Sequence, residues 1–175
     1  MTHNILTIPN IISLSRLVLA WPLALAVYNE SIVTAIILGS IAIITDFLDG
    51  YLSRKLNQSS NAGKIIDPIV DGILVFSIMV ALSQRQLIPV WYIGTIIVRY
   101  SILFVLLSVY QFRHKRTPQS IMSGKIGMCS IALTIFVAIV HDIIPSLLTP
   151  CIIMSTAILI ISLIDYLITY LSKRN

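Results

Sequence analysis

Apolar residues run along this chain in blocks of roughly twenty, and short polar stretches cut the blocks apart. They cover residues 10–28, 31–53, 64–83, 87–111, 119–140 and 147–171, each long enough to cross a hydrocarbon core as a helix. Helix is the open choice for such segments, because an uncovered backbone N–H or C=O finds no water partner in lipid. The pattern predicts an all-α integral membrane protein with six transmembrane helices. Ahead of them, Asn4 to Asn10 is amphipathic enough to form a short N-terminal interfacial segment. No repeat, low-complexity tract or long linker interrupts the chain, so residues 1–175 read as a single membrane domain.

Composition narrows the class further. A chain that is 57% hydrophobic and 11% charged, with mean hydropathy +0.96, is no ordinary water-soluble domain. Leu23-Ala24-Leu25-Ala26 has the look of a signal-peptidase site, but residues 1–10 carry no Lys or Arg and Arg16 interrupts the apolar run. A retained first helix is expected. With six spans both termini share one side, and that side collects Arg16, Arg54, Lys55, Lys64, Arg113, Lys115, Arg116, Lys125, Lys173 and Arg174. The opposite side has Arg85, and Arg99 falls within a span. Such a bias places both termini in the cytoplasm. The net charge of +5 then reads as topology and attraction to anionic lipid, and no nucleic-acid-binding motif is present.

Chemistry concentrates in one place. Of seven acidic residues, four are the aspartates 46, 49, 67 and 71, set in apolar sequence. An unpaired Asp at the bilayer centre costs ~3 kcal/mol, so four would cost roughly 12 and need neutralising. Clustered hard oxygen donors point to divalent cations. On helices, Asp46, Asp49, Gly50, Ser53 and Arg54 share one face, and Gly63, Asp67 and Asp71 share another. If adjacent antiparallel helices bring the two stripes together near the cytoplasmic surface, they can hold two cations around a transferring phosphoryl group. Gly50, Ser53 and Gly63 leave room for a planar group, and Arg54 suits a phosphate. Purely structural ion pairs are a weaker reading, since only Arg54, Lys55 and Lys64 lie nearby to pair with four carboxylates. A cation-coupled transporter is the different-class alternative, but the inverted repeats and broken helices it calls for are not evident.

The arrangement Asp46-x2-Asp49-Gly50-x2-Ser53-Arg54-x8-Gly63-x3-Asp67-x3-Asp71 closely resembles the signature of the CDP-alcohol phosphatidyltransferases, departing only where Ser53 stands in place of the usual Ala. Ile8-Pro9-Asn10-Ile11-Ile12-Ser13-Leu14-Ser15-Arg16 is similar to the family's usual opening. The resemblance implies transfer of a phosphatidyl group from CDP-diacylglycerol to an alcohol, with release of CMP, in phospholipid synthesis. It implies that Asp46, Asp49, Asp67 and Asp71 surround two divalent cations, Mg²⁺ or Mn²⁺, and that Asp71 is the catalytic base. Asp49, Gly50, Ser53, Arg54 and Gly63 would receive the nucleotide. It further implies a homodimer and, for so compact a chain, a bacterial inner membrane with a cytoplasmic active site.

For the acceptor, Asp49 to Arg54 and Gly124-Lys125 look most like the phosphatidylglycerophosphate-synthase branch, which implies glycerol 3-phosphate. Arg99, Arg113 and Lys125 are the candidate acceptor-binding residues, the run from Arg113 to Arg116 serving equally as a membrane anchor. Gly72, Tyr100 and Gly127-Met128 depart from that branch's usual Lys, acidic residue and Lys-Thr. Phosphatidylglycerol, inositol phosphate and serine therefore stay as alternative acceptors. Arg99 either reaches the acceptor's phosphate or pairs with Asp165. Cys129 and Cys151 read as core thiols, Glu30 and Asp142 as solvated, and Trp21, Trp91, Tyr92 and Tyr110 as interfacial anchors or packing.

Overall fold

The computed structural model describes residues 8–55, 63–114 and 121–172; within these, the side chains of residues 8–11, 49–50, 53–54, 63–69, 113–114 and 171–172 lie outside the description. The N-terminal residues 1–7, most of the expected interfacial segment, also lie outside it. The described residues form six α-helices and no strand: α1 Ile8–Tyr28, α2 Ile32–Lys55, α3 Gly63–Gln84, α4 Val90–His114, α5 Met122–Ile139 and α6 Leu148–Ser172. A single 3₁₀ turn at Pro145–Leu147 leads into α6. Each helix coincides with one expected apolar block.

The helix ends have local causes. Glu30 adopts φ 61° after α1 and Gln86 adopts φ 58° after α3, the left-handed cap that closes a helix. The Ser31 N–H then donates to the Ala26 carbonyl and the Gln86 N–H to the Ser83 carbonyl. Before α4, Pro89 starts a turn whose carbonyl accepts from the Tyr92 N–H. Pro22 sits inside α1 without ending it, as membrane helices tolerate.

The chain forms two compact units, residues 1–86 and 87–175. In the first, α1 packs against both α2 and α3. The three-residue turn 29–31 makes α1 and α2 antiparallel. Arg16 reaches Asp71, and further along Arg85 reaches the Val27 carbonyl, so α1 and α3 run parallel. Ala20 and Ala26 of α1 and Ala35 and Ala42 of α2 are buried; small side chains let membrane helices approach closely. Leu23, Val27, Val70, Ile78, Met79 and Leu82 fill the rest of this core.

In the second unit α6 packs against α5 and α4. Tyr92 bonds Ser155 at 2.7 Å and Arg99 bonds Ser162 at 2.9 Å, rungs one heptad apart on both helices, so α4 and α6 run parallel. Ser123 meets Asp165 and Ser130 meets Ser155, in reverse order, so α5 runs antiparallel to α6. Beyond the second rung, Leu103, Tyr166 and Tyr170 form an aromatic-rich core joined by Tyr110.

Among the described residues three helices are long and apolar enough to cross a membrane: Val90–Phe112, Met122–Ile139 and Pro145–Tyr170, the last taking in the 3₁₀ turn before α6. In α1, α2 and α3 the apolar described stretches are shorter, Ile12–Tyr28, Ile32–Leu48 and Val70–Gln84. The rest of α2 and α3 carries the polar motif. Large apolar side chains such as Val18, Trp21, Phe104 and Phe112 stay exposed all along the helices, a surface suited to lipid rather than water. The chain is an all-helical membrane protein.

Candidate active site

The motif sits where two helices of the first unit end and begin. Asp46, Asp49, Gly50, Ser53 and Arg54 occupy the last three turns of α2, and Gly63, Asp67 and Asp71 the first turns of α3. Of these side chains, Asp46 and Asp71 are described. They converge: Nη1 of Arg16, on α1, donates to Oδ1 of Asp46 and, at 2.7 Å, to Oδ1 of Asp71. Two carboxylates from separate helices thus lie within a few ångströms of each other across one guanidinium nitrogen.

Burial divides this trio unequally. The Arg16 side chain is 2% exposed, whereas Asp46 is 58% and Asp71 41% exposed. The guanidinium forms a floor, and the carboxylates stand open above it. A buried arginine needs such partners, because an uncompensated charge in this setting costs several kcal/mol. The sequence marked Arg16 as a topological charge, an interruption of the first apolar run and part of the family-like opening, but not as a partner of the aspartates. The signal that would have found it was present: a charge in an apolar run with no acid within helical reach.

The donor chemistry fits a divalent cation. Two hard carboxylate oxygens already gather around a positive centre, and both carboxylates are substantially exposed. Among the described residues no group of three or more His, Cys, Asp or Glu is assembled. The side chains of Asp49 and Asp67, and the nucleotide candidates Gly50, Ser53, Arg54 and Gly63, lie outside the description.

The second unit holds the acceptor candidates. Arg99, in the middle of α4, is 3% exposed. Its Nη2 donates to Ser162, while Nε and Nη1 are buried with no hydrogen-bond partner among the described residues. Its guanidinium lies 5.0 Å from the Tyr100 ring centroid, and a methyl group on Gly127 would fall 3.1 Å from its Nη2. The Tyr100 hydroxyl in turn meets the Met128 sulfur. Positions 100, 127 and 128, three where the chain departs from the phosphatidylglycerophosphate-synthase branch, therefore gather around Arg99.

The alternative pairing of Arg99 with Asp165 does not occur, because Asp165 accepts instead from the Ser123 hydroxyl at 2.5 Å. That bond and one from the Ile121 N–H to the Tyr166 hydroxyl fasten the start of α5 to α6. Gly124 is required there, since a Cβ would fall 2.5 Å from the Tyr166 hydroxyl oxygen. Lys125, next along α5, is exposed, and the Arg113 side chain and residues 115–116 lie outside the description.

Some minor expectations change. Tyr92 is fully buried against Ser155, so packing rather than the interface fixes it. Cys129 is exposed, on an outward face of α5. Glu30 stays largely exposed, as expected, and also pairs at 3.1 Å with Arg85, in the turn after α3.

With this geometry in place, comparison with known proteins defines the class. The sequence profile of the CDP-alcohol phosphatidyltransferases matches residues 6–168, and the chain belongs to that family. It is 30% identical over 133 residues to a CDP-diacylglycerol–glycerol-3-phosphate 3-phosphatidyltransferase of Aquifex aeolicus, covering 74% of each chain. It is also 30% identical over 130 residues to a cardiolipin synthase (CMP-forming) of Streptomyces coelicolor, covering 71% of this chain and 60% of that one. A Bacillus subtilis CDP-diacylglycerol–glycerol-3-phosphate 3-phosphatidyltransferase is 43% identical over 79 residues, covering 43% of this chain and 41% of its own. The protein is a membrane-embedded phosphatidyltransferase, of a family generally dependent on divalent cations.

Proposed function

We propose that this chain transfers the phosphatidyl group of CDP-diacylglycerol to the hydroxyl of a phosphate-bearing glycerol acceptor, glycerol 3-phosphate first and phosphatidylglycerol second. The observation that carries the reading is the convergence of Asp46 and Asp71 from two helices, within the family's motif, on one cationic point. Glycerol 3-phosphate stands first because the Aquifex relative aligns evenly with both chains at 74%. The cardiolipin synthase similarity keeps phosphatidylglycerol second.

The chemistry follows from what the residues can do. Asp71 takes the proton of the acceptor hydroxyl as its oxygen attacks the phosphorus that bears diacylglycerol. The bond from that phosphorus to the CMP oxygen breaks, and CMP leaves with its electron pair. An alcohol is a weak nucleophile, so a carboxylate base in reach of its proton accelerates the step by about 10²- to 10⁴-fold. Asp46, Asp49, Asp67 and Asp71 would hold two Mg²⁺ or Mn²⁺ ions, which supply charge neutralisation for the diphosphate. Asp49, Gly50, Ser53, Arg54 and Gly63 receive the cytidine nucleotide. Arg99, Arg113 and Lys125 are the proposed acceptor-binding residues, and two nitrogens of Arg99 with no hydrogen-bond partner among the described residues support its part.

The six apolar blocks support six spans, and the distribution of basic residues supports cytoplasmic termini and a cytoplasmic active site. A homodimer, supported by the family resemblance, and a bacterial inner membrane, supported by the compact chain, complete the proposal. The test is CMP release by purified protein in detergent with CDP-diacylglycerol and Mn²⁺ or Mg²⁺, across glycerol 3-phosphate, phosphatidylglycerol, inositol phosphate and serine. Release that depends on glycerol 3-phosphate is expected. Release with only a different acceptor overturns the acceptor, and none from folded protein overturns the reaction.

A further inference from the structure

The geometry points to Arg16 as a resident counter-cation that competes with divalent metal for Asp46 and Asp71. Its one nitrogen bonds an oxygen of each carboxylate, and those carboxylates come from different helices. Both are substantially exposed, while Arg16 is buried beneath them and cannot leave for water without opening the α1 contacts with α2 and α3. The arginine therefore stays close when a metal arrives. This inference rests on the proposed metal role of the two aspartates.

Two effects of opposite sign follow from that position. Arg16 gathers the carboxylates, which favours metal by sparing the entropy of ordering two short side chains. Its charge, a few ångströms from where a dication must sit, disfavours metal by direct repulsion. Asp side chains have few rotamers to lose, and their helices already fix their backbones, so the ordering effect is small. Repulsion between a unit charge and a dication at such a distance remains large even in a partly solvated site. The charge effect wins. Arg16 keeps the carboxylates neutralised while no metal is bound and sets a weak intrinsic metal affinity. The diphosphate of the donor then supplies the further negative charge that draws the metals in.

Arg16 thus acts on the metal through its charge beside Asp46 and Asp71, and metal affinity rather than turnover reports it. Mn²⁺ binding to purified protein, followed by electron paramagnetic resonance without lipid substrate, is compared between the wild type and Arg16→Gln. Glutamine keeps hydrogen-bond donors and removes the charge. Roughly tenfold tighter Mn²⁺ binding is expected, with a lower melting temperature for the metal-free variant that saturating Mn²⁺ restores. Equal or weaker binding in Arg16→Gln overturns the inference, since it would make Arg16 an organiser of the metal site. If Arg16→Gln does not fold, Arg16→Lys gives the second reading. Its ammonium keeps the charge while giving up one of the two contacts, so binding within a few-fold of wild type is expected, and binding more than about tenfold weaker overturns, since it would mean that the bridging contacts build the metal site. CMP release by the wild type is measured alongside. Its absence with every acceptor would defeat the proposed reaction while leaving the Mn²⁺ comparison standing, whereas Mn²⁺ binding by neither the wild type nor Arg16→Gln at millimolar concentration would defeat the inference itself.

Discussion

Arg16 and Arg99 are buried to almost the same degree, 2% and 3% exposed, yet their surroundings differ. Arg16 lies against two carboxylates from two helices. Arg99 has one serine hydroxyl, an aromatic ring at its side and two nitrogens with no hydrogen-bond partner among the described residues. A satisfied buried charge holds a fold together; an unsatisfied one is retained only where something else benefits from it. The first arginine is neutralised by the acids beside it, whereas the second has a serine hydroxyl and no carboxylate beside it among the described residues.

The largest effect expected from this contrast lies on the acidic side. Asp67→Asn should abolish transfer, as should removal of metal by EDTA, with CMP release as the readout; activity retained in either case would take the carboxylate stripe out of the metal site. Next come the two arginines themselves. Arg16→Met should lower stability by about 1–3 kcal/mol, less than the 3–5 typical when a fully buried pair is broken, because the two aspartates can turn to solvent. Arg99→Met should leave stability unchanged or raise it, since it removes a charge with no protein counter-ion. Melting in detergent checks both, and equal losses would erase the contrast.

A functional difference should run the other way. Arg99→Gln should raise KM for the acceptor about tenfold or more, the scale of a lost charge-assisted hydrogen bond, and leave KM for CDP-diacylglycerol alone. If both constants move together, Arg99 does not serve the acceptor. The smallest effect belongs to Gly127→Ala. Its methyl group would press on the Arg99 Nη2 from 3.1 Å and should raise the acceptor KM only a few-fold. An unchanged KM would mean that the guanidinium shifts without cost to binding.

Much of this architecture is legible in the sequence because lipid simplifies the problem. A block of apolar residues in a bilayer has one secondary structure open to it, so the blocks starting near residues 31, 64 and 147 appear as helices from Ile32, Gly63 and Leu148. The motif is legible for a similar reason, since aspartates placed where they are costly must have a use. Pairings across the fold are harder. The sequence separations from Arg16 to Asp46 and Asp71 say nothing of proximity, and only the packing of α1 against both α2 and α3 brings them together. Of the two roles read for Arg99, the acceptor's phosphate or Asp165, the pairing with Asp165 fails because Arg99 bonds Ser162, one turn earlier on α6. At that point Ser123, arriving from the antiparallel α5, had already taken Asp165.

The claim that ties these observations together is that Asp71, held beside Asp46 over Arg16, removes the acceptor's proton. Asp71→Asn tests it most directly, because asparagine keeps the shape and can still bond within the site, but cannot act as a base. Transfer from CDP-diacylglycerol, measured as CMP release at saturating acceptor and metal, should fall below detection while the melting temperature stays within a few degrees of wild type. Substantial CMP release from a folded Asp71→Asn protein would contradict the account and place the base elsewhere.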